Sequence, residues 1–172
     1  MQKGFSVVEG LMVLALMGVL LAMAAPGMTA WLGRTQVEAL AQAFVRDVRW
    51  ARTEAIKRSL RVSLCSSADA RQCDAQGWAA GWVVFADDNG NGWIDSGDEI
   101  LRVQSRMTGV ASMASTQPAN DRLQLTFQSQ GVARAAAQSL WLTDTTRTQQ
   151  RLVCVSMQGR AALRPPGDLA CD

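Results

Sequence analysis

Hydrophobic and polar positions divide this chain into three stretches of different period. From Phe5 to Ala25 the residues are mostly apolar, and the run from Leu11 to Ala25 is unbroken. Its length is near the ~20 residues a helix needs to cross hydrocarbon. One acid, Glu9, stands inside it. From Trp31 to about Leu60 the period becomes helical. Val37, Leu40, Ala41, Phe44, Val48, Ala51 and Ala55 recur at steps of three and four. Arg34, Glu38, Gln42, Arg46, Arg49 and Glu54 fill much of the other side, and Glu54 and Arg58 stand at i and i+4. Gly27 and Gly33 loosen the junction below this helix, and Pro26 marks a kink. Beyond Leu60 the pattern shortens to β runs: Arg61–Ser66, Trp82–Ala86, Glu99–Gln104, Leu123–Gln128, Ser139–Thr143 and Leu152–Met157. Turn residues separate them at Asn89–Gly92 and Gln130-Gly131. Met107–Asp121, small and polar with a proline, reads as a mobile loop. The expected class is α+β: a long N-terminal helix, with a membrane half and an amphipathic half, packed on an antiparallel β-sheet head.

The length of 172 residues suits one domain with an N-terminal appendage. A net charge of +2 demands neither nucleic acid nor an acidic partner. The chain has no histidine, which removes the commonest general base and the commonest metal ligand. Cys65, Cys73, Cys154 and Cys171 allow three pairings. Behind an export-type N-terminus they read as two disulfides, and local pairing, 65 with 73 and 154 with 171, is the simplest. A zinc site is the alternative, without C-x-x-C spacing or histidine to support it. Trp78, Trp82 and Trp93 gather around one turn, with Trp141 further on. They are expected to cover a small sheet, with ligand stacking the alternative.

Three readings of the N-terminus compete. One is a secretory signal cut at Ala22-Met23-Ala24. Another is a plain membrane anchor. The third rests on Lys3, Gly4, Phe5 and Glu9 in register, with Pro26 beyond. This segment resembles the type IV prepilin and pseudopilin signature, with Ser6-Val7-Val8 in place of the more usual Thr-Leu-Ile. The resemblance implies that residues 1–4 are a leader cut after Gly4 by a prepilin peptidase, and that Phe5 becomes a methylated N-terminus. Residues 5–26 would form the transmembrane and filament-core helix, 27–60 the amphipathic helix and 61–172 the periplasmic head. Glu9 would pair with the free amine of a neighbouring subunit, since a carboxylate in an apolar bundle needs a partner.

Within the prepilins the head resembles the GspH/FimT group. The residues that carry this are Ala51-Arg52-Thr53-Glu54-Ala55-Ile56-Lys57-Arg58, Val62-Ser63-Leu64-Cys65, Gly81-Trp82-Val83-Val84-Phe85 and the Asp87–Glu99 loop. That resemblance implies a structural and assembly subunit of a type IV pilus or a type II secretion pseudopilus, with no catalytic residue and no cofactor. Its partners would be the peptidase, the major and other minor pilins, and the bacterial inner membrane, crossed once with the head in the periplasm.

Two features of the head carry candidate chemistry. In the acidic loop, Asp87, Asn89, Asn91, Asp95 and Asp98 fall at calcium-loop positions, with Gly92 at the sharp turn. A hairpin turn capped by its own Asx side chains is the preferred reading. After residue 121, six arginines face three aspartates. Among them, Gly159-Arg160-Ala161-Ala162-Leu163-Arg164 resembles the Gly-Arg-x-Arg element with which FimT-type minor pilins hold DNA, though Ala162 replaces the second arginine. Ordinary solvated arginines on an edge strand are the preferred reading, with DNA binding the alternative. A DNA-binding role would place Arg160 and Arg164 on one side of a strand.

Overall fold

Helix α1 spans Val7–Arg58. The computed structural model describes residues 6–116, 123–134, 138–168 and 170–171, and no side chains for 24–26. Gly4 and Phe5 therefore lie outside the described residues, whereas Pro26, where a kink is expected, lies within the single helix α1. The chain forms two compact units, residues 1–32 and 33–172.

In the first unit the helix is apolar around its circumference. Leu11, Met12, Val13 and Leu14, which point about 100° apart, are all exposed. An all-round apolar helix belongs in lipid or in a bundle of like helices. This one is long and apolar enough to cross a membrane.

In the second unit the seven apolar positions read from the sequence period all lie buried along one face of α1. Asp47 and Glu54 are buried as well. Glu54, expected on the polar side, is covered because Arg58 folds back onto it at 2.5 Å. The helix ends at Ser59, whose positive φ lets the Leu60 amide donate to the Ala55 carbonyl.

The strands are β1 (Val62–Ser66), β2 (Gly81–Ala86), β3 (Ile100–Ser105), β4 (Val110–Ser115), β5 (Gln124–Phe127), β6 (Ala133–Arg134), β7 (Gln138–Asp144), β8 (Gln150–Val155) and β9 (Ala161–Leu163). They form two antiparallel sheets, β3-β2-β1-β5-β6 and β4-β7-β8-β9, rather than one. Strand β4 corrects the expectation of a loop over Met107–Asp121. Val110 and Met113 face the core while the residues between them are exposed, and a register shift between Val110 and Ser112 breaks the period-2 signal. Residues 117–121 of that segment lie outside the described residues.

Both sheets contribute to one core with α1. Phe44 meets Trp78 and Trp82 edge-on, with ring centroids 5.0 and 5.3 Å apart. These two tryptophans are core residues sealed against the helix. Trp93 is exposed, and Trp141 is half-buried on β7. The outer face of β1 and β2 has its own small core. There Cys65, Val83 and Phe85 are covered by Ala70, Cys73 and Ile94. This is why every residue of β1 and β2 is buried.

Candidate functional site

Glu9 lies in the first turn of α1 and is exposed. The Glu9 and Gly10 amides both donate to the Ser6 carbonyl, at 3.0 and 3.2 Å. Carboxylates are favoured at this end of a helix by the macrodipole. Around it Val7, Val8, Leu11 and Met12 present an apolar surface. The arrangement is one anionic group on an otherwise greasy helix, open to a second molecule.

The acidic loop joins β2 to β3. Asp87 is its buried hub. Its Oδ1 accepts from the Gly90 and Asn91 amides at 2.7 and 3.2 Å. Its Oδ2 accepts from the Gly92 amide at 2.9 Å and the Ser63 hydroxyl at 2.6 Å. Gly90 and Gly92 both take positive φ, which lets the amides turn inward toward one carboxylate. Asp95 Oδ2 accepts from the side-chain amides of Asn89 and Asn91 at 2.7 and 2.8 Å, and Asp98 Oδ2 accepts from the Asp95 amide at 2.8 Å. Of the five calcium candidates, Asp87 is spent on internal donors. Asn89, Asn91, Asp95 and Asp98 bond to one another around the turn. No group of three or more His, Cys, Asp or Glu side chains disposed to hold a metal ion occurs among the described residues. The Asx-capped turn is the arrangement the geometry fits.

The disulfides are Cys65–Cys73 and Cys154–Cys171, with Cα separations of 5.5 and 5.7 Å. The first lies under the acidic loop, where Cys73 Sγ approaches the Gly92 carbonyl at 3.7 Å. The second ties the C-terminal segment to β8.

The arginines are divided by the fold. Arg151 is drawn onto the helix, its Nε 2.5 Å from Glu38. That hydrogen bond holds the Glu38 carboxyl below the usual carboxylate range, against partial burial. Arg160 and Arg164 flank β9 rather than lying within it. Arg160 is exposed and Arg164 is half-buried. Two arginines that the C-terminal motif does not include, Arg46 and Arg49, stand exposed on α1 across from β9. Arg49 Nε donates to the Ala161 carbonyl at 3.0 Å. The sequence marks both as polar-face helix residues, and only the tertiary pairing brings them beside the C-terminal strand.

Asp144 caps the β7–β8 hairpin. Burial pushes its carboxyl up, but donors from the Thr146 hydroxyl, the Gln149 amide, and the Thr148 amide and hydroxyl outweigh this and hold it low.

Comparison with known proteins agrees with this architecture. A family model described as type II transport protein GspH matches residues 40–159. The pilin-like protein PilA1 of Thermus thermophilus is 31% identical over 165 residues, covering 94% of this chain and 98% of that one. A crystal structure of the type IV minor pilin FimU of Pseudomonas aeruginosa aligns with a TM-score of 0.57 at 19% identity, over 77% of this chain and 90% of FimU. The minor pseudopilin EpsH of the Vibrio cholerae type 2 secretion system aligns at 0.52 and 18% identity, over 77% of this chain and 99% of EpsH. At those identities the structural likeness speaks for the fold.

Proposed function

This chain belongs to the GspH family of minor pilins and pseudopilins, and on that footing we propose that it is a minor subunit of a type IV pilus, built into the filament through its N-terminal helix. The family is one of structural subunits, not enzymes. The observation that carries the proposal is Glu9, a lone carboxylate on an exposed apolar helix.

Cleavage after Gly4 by a prepilin peptidase would free the amine of Phe5, four residues before Glu9 in the sequence. Before assembly the helix would cross the inner membrane once, with the head in the periplasm. In the filament, Glu9 of one subunit would pair with the amine of its neighbour. Burying either charge alone costs several kcal/mol, so mispaired subunits are rejected. Support for a pilus comes from the relative named as a pilin-like protein, which matches over nearly its whole length.

The experiment is Glu9→Ala in the full chain. Leader removal should proceed normally while the amount of subunit in sheared filaments falls. Undiminished incorporation would rule out the pairing.

A second reading, a pseudopilin of type II secretion, draws on the description of the family model. Deletion of the gene separates the two: loss of twitching or pili supports the first, and loss of exoprotein secretion the second. DNA uptake, the third, would require salt-sensitive duplex binding that is lost in Arg160→Ala/Arg164→Ala.

A further inference from the structure

The acidic loop contains Asn-Gly twice, at Asn89-Gly90 and Asn91-Gly92. The turn requires this pairing. Both glycines sit at positive φ, 73° and 80°, and each asparagine side chain caps the backbone two residues on. Asn-Gly is also the dipeptide most prone to lose its side-chain amide in water. The glycine nitrogen, once deprotonated, attacks the asparagine Cγ, and with no side chain on the glycine nothing shields that approach. An N–C bond forms, the Cγ–Nδ2 bond breaks, and the amide group leaves as ammonia. Water then opens the cyclic imide to aspartate or isoaspartate. No enzyme, oxidant or cofactor is needed.

The fold closes each element of this reaction. The Gly90 amide donates to Asp87 Oδ1 at 2.7 Å and the Gly92 amide to Asp87 Oδ2 at 2.9 Å. Both attacking nitrogens therefore direct their protons at one buried carboxylate. A negative group so close disfavours the amide anion that must form. Asp87 is fixed in turn by the Ser63 hydroxyl and by its own amide, which donates to the Arg61 carbonyl at 3.0 Å.

The asparagine side chains are held as well. Asn89 Oδ1 accepts from the Asn91 amide at 3.0 Å, and Asn91 Oδ1 from the Trp93 amide at 2.7 Å. Both Nδ2 groups donate to Asp95 Oδ2, at 2.7 and 2.8 Å. Neither Cγ can turn toward the nitrogen that follows it without giving up hydrogen bonds at both ends of its amide.

We propose that Asn89 and Asn91 are paired deamidation sites that the folded head holds unreactive, with Asp87 as the group that blocks them. Conversion runs one way. Each new carboxylate would stand against Asp95, turning an amide-to-carboxylate hydrogen bond into a contact between like charges. Ile94 lies in the same turn and helps cover Cys65, Val83 and Phe85. Repulsion at Asp95 would loosen that cover. A loop that has opened and reacted then closes less well, and reacts more readily at the second site.

The test is peptide mass spectrometry on the full chain in detergent micelles, incubated in mildly alkaline buffer beside the same chain unfolded in guanidinium chloride. The unfolded chain should form aspartate and isoaspartate at both positions. The folded chain should do so at least about tenfold more slowly, because reaction waits on local opening. Asp87→Ala should remove most of that difference. Asp47→Ala, which also deletes a buried carboxylate but lies on α1 outside the loop, should keep it. Should Asp87→Ala fail to fold, amide exchange in the unaltered chain still decides, with Gly90 and Gly92 exchanging well behind Gly97. The double variant Asn89→Asp/Asn91→Asp should melt lower than the parent at neutral pH. Equal conversion in folded and unfolded chains overturns the proposal, as does a folded Asp87→Ala that keeps its protection, or exchange at Gly90 and Gly92 as fast as at Gly97. A double variant that melts like the parent overturns the weakening that follows conversion.

Discussion

Trp82 Nε1 donates to Asp47 Oδ2 at 3.1 Å, and both residues are buried. Asp47 Oδ1 also receives Arg102 at 2.9 Å, and the Arg102 guanidinium stacks 4.2 Å from the Trp50 ring centre. One carboxylate thus joins α1, β2 and β3. Asp47→Ala leaves the Trp82 donor buried without an acceptor, at a cost of about 1–3 kcal/mol. Arg102 can turn to water and adds less. Urea melts should show the loss, and Asp47→Asn, which keeps an acceptor, should lose less. In a Trp82→Phe background the same change should cost about 1 kcal/mol less, as contacting pairs couple. Strict additivity would show that the bond does not matter to stability.

Gly33 is set by a close approach. A Cβ there would lie 2.8 Å from Asp144 Oδ2. Gly→Ala inside a helix ordinarily gains about 1 kcal/mol. Here the Asp144 side chain is pinned by Thr146, Thr148 and Gln149, so it cannot swing away without giving up several hydrogen bonds. Each is worth about 1 kcal/mol net. Gly33→Ala should therefore lower the melting temperature despite its better propensity. Gly33→Ala should be harmless or stabilising once Asp144→Ala has removed the obstacle.

Acid should weaken the head in a defined direction. Glu38, bonded by Arg151, and Asp144, held by the hairpin donors, both have depressed carboxyl pKa values in the folded state. Such groups contribute stability above their unfolded values of about 4, and the contribution is lost as pH falls through the folded values. Melting temperature should hold from pH 7 to about 5 and drop below pH 4. Asp144→Asn should melt lower at pH 7 and show a shallower acid limb. An unchanged acid limb would mean that Asp144 is not among the titrating groups.

Periodicity made α1 readable, because its seven core positions recur at helical steps and nothing else in the chain competes with them. Asp47 is marked by the same period: it lies three residues after Phe44 and four before Ala51, on the buried face. The strands rich in Val, Leu, Phe and Trp were visible for the same reason. β4 was not, since Val-Ala-Ser-Met-Ala-Ser carries two large apolar residues three apart, and a bulge resolves that spacing only when β7 is in place. The approach of these helix arginines to β9 was hidden for a different reason. Arg46 and Arg49 are separated from β9 by more than a hundred residues, and no local pattern brings them together.

The acidic loop offers a sharp choice between metal and turn. A calcium site would need the Asp87 carboxylate to face outward with Asn89, Asn91, Asp95 and Asp98. Instead both of its oxygens are turned inward onto three backbone amides and the Ser63 hydroxyl, and the last of these is also shared with Thr126 at 2.8 Å. Freeing the carboxylate would leave buried donors unpaired, a cost of about 1–3 kcal/mol each that weak calcium binding cannot offset. Calorimetry at millimolar calcium should give no binding heat, and the melting temperature should not move. Asp87→Ala should destabilise the head by about 2 kcal/mol or more, equally with calcium and with chelator. Asp98→Ala, at an exposed turn position, should have a small effect. A calcium-dependent rise in melting temperature that Asp98→Ala abolishes would overturn the turn assignment and establish the loop as an ion site.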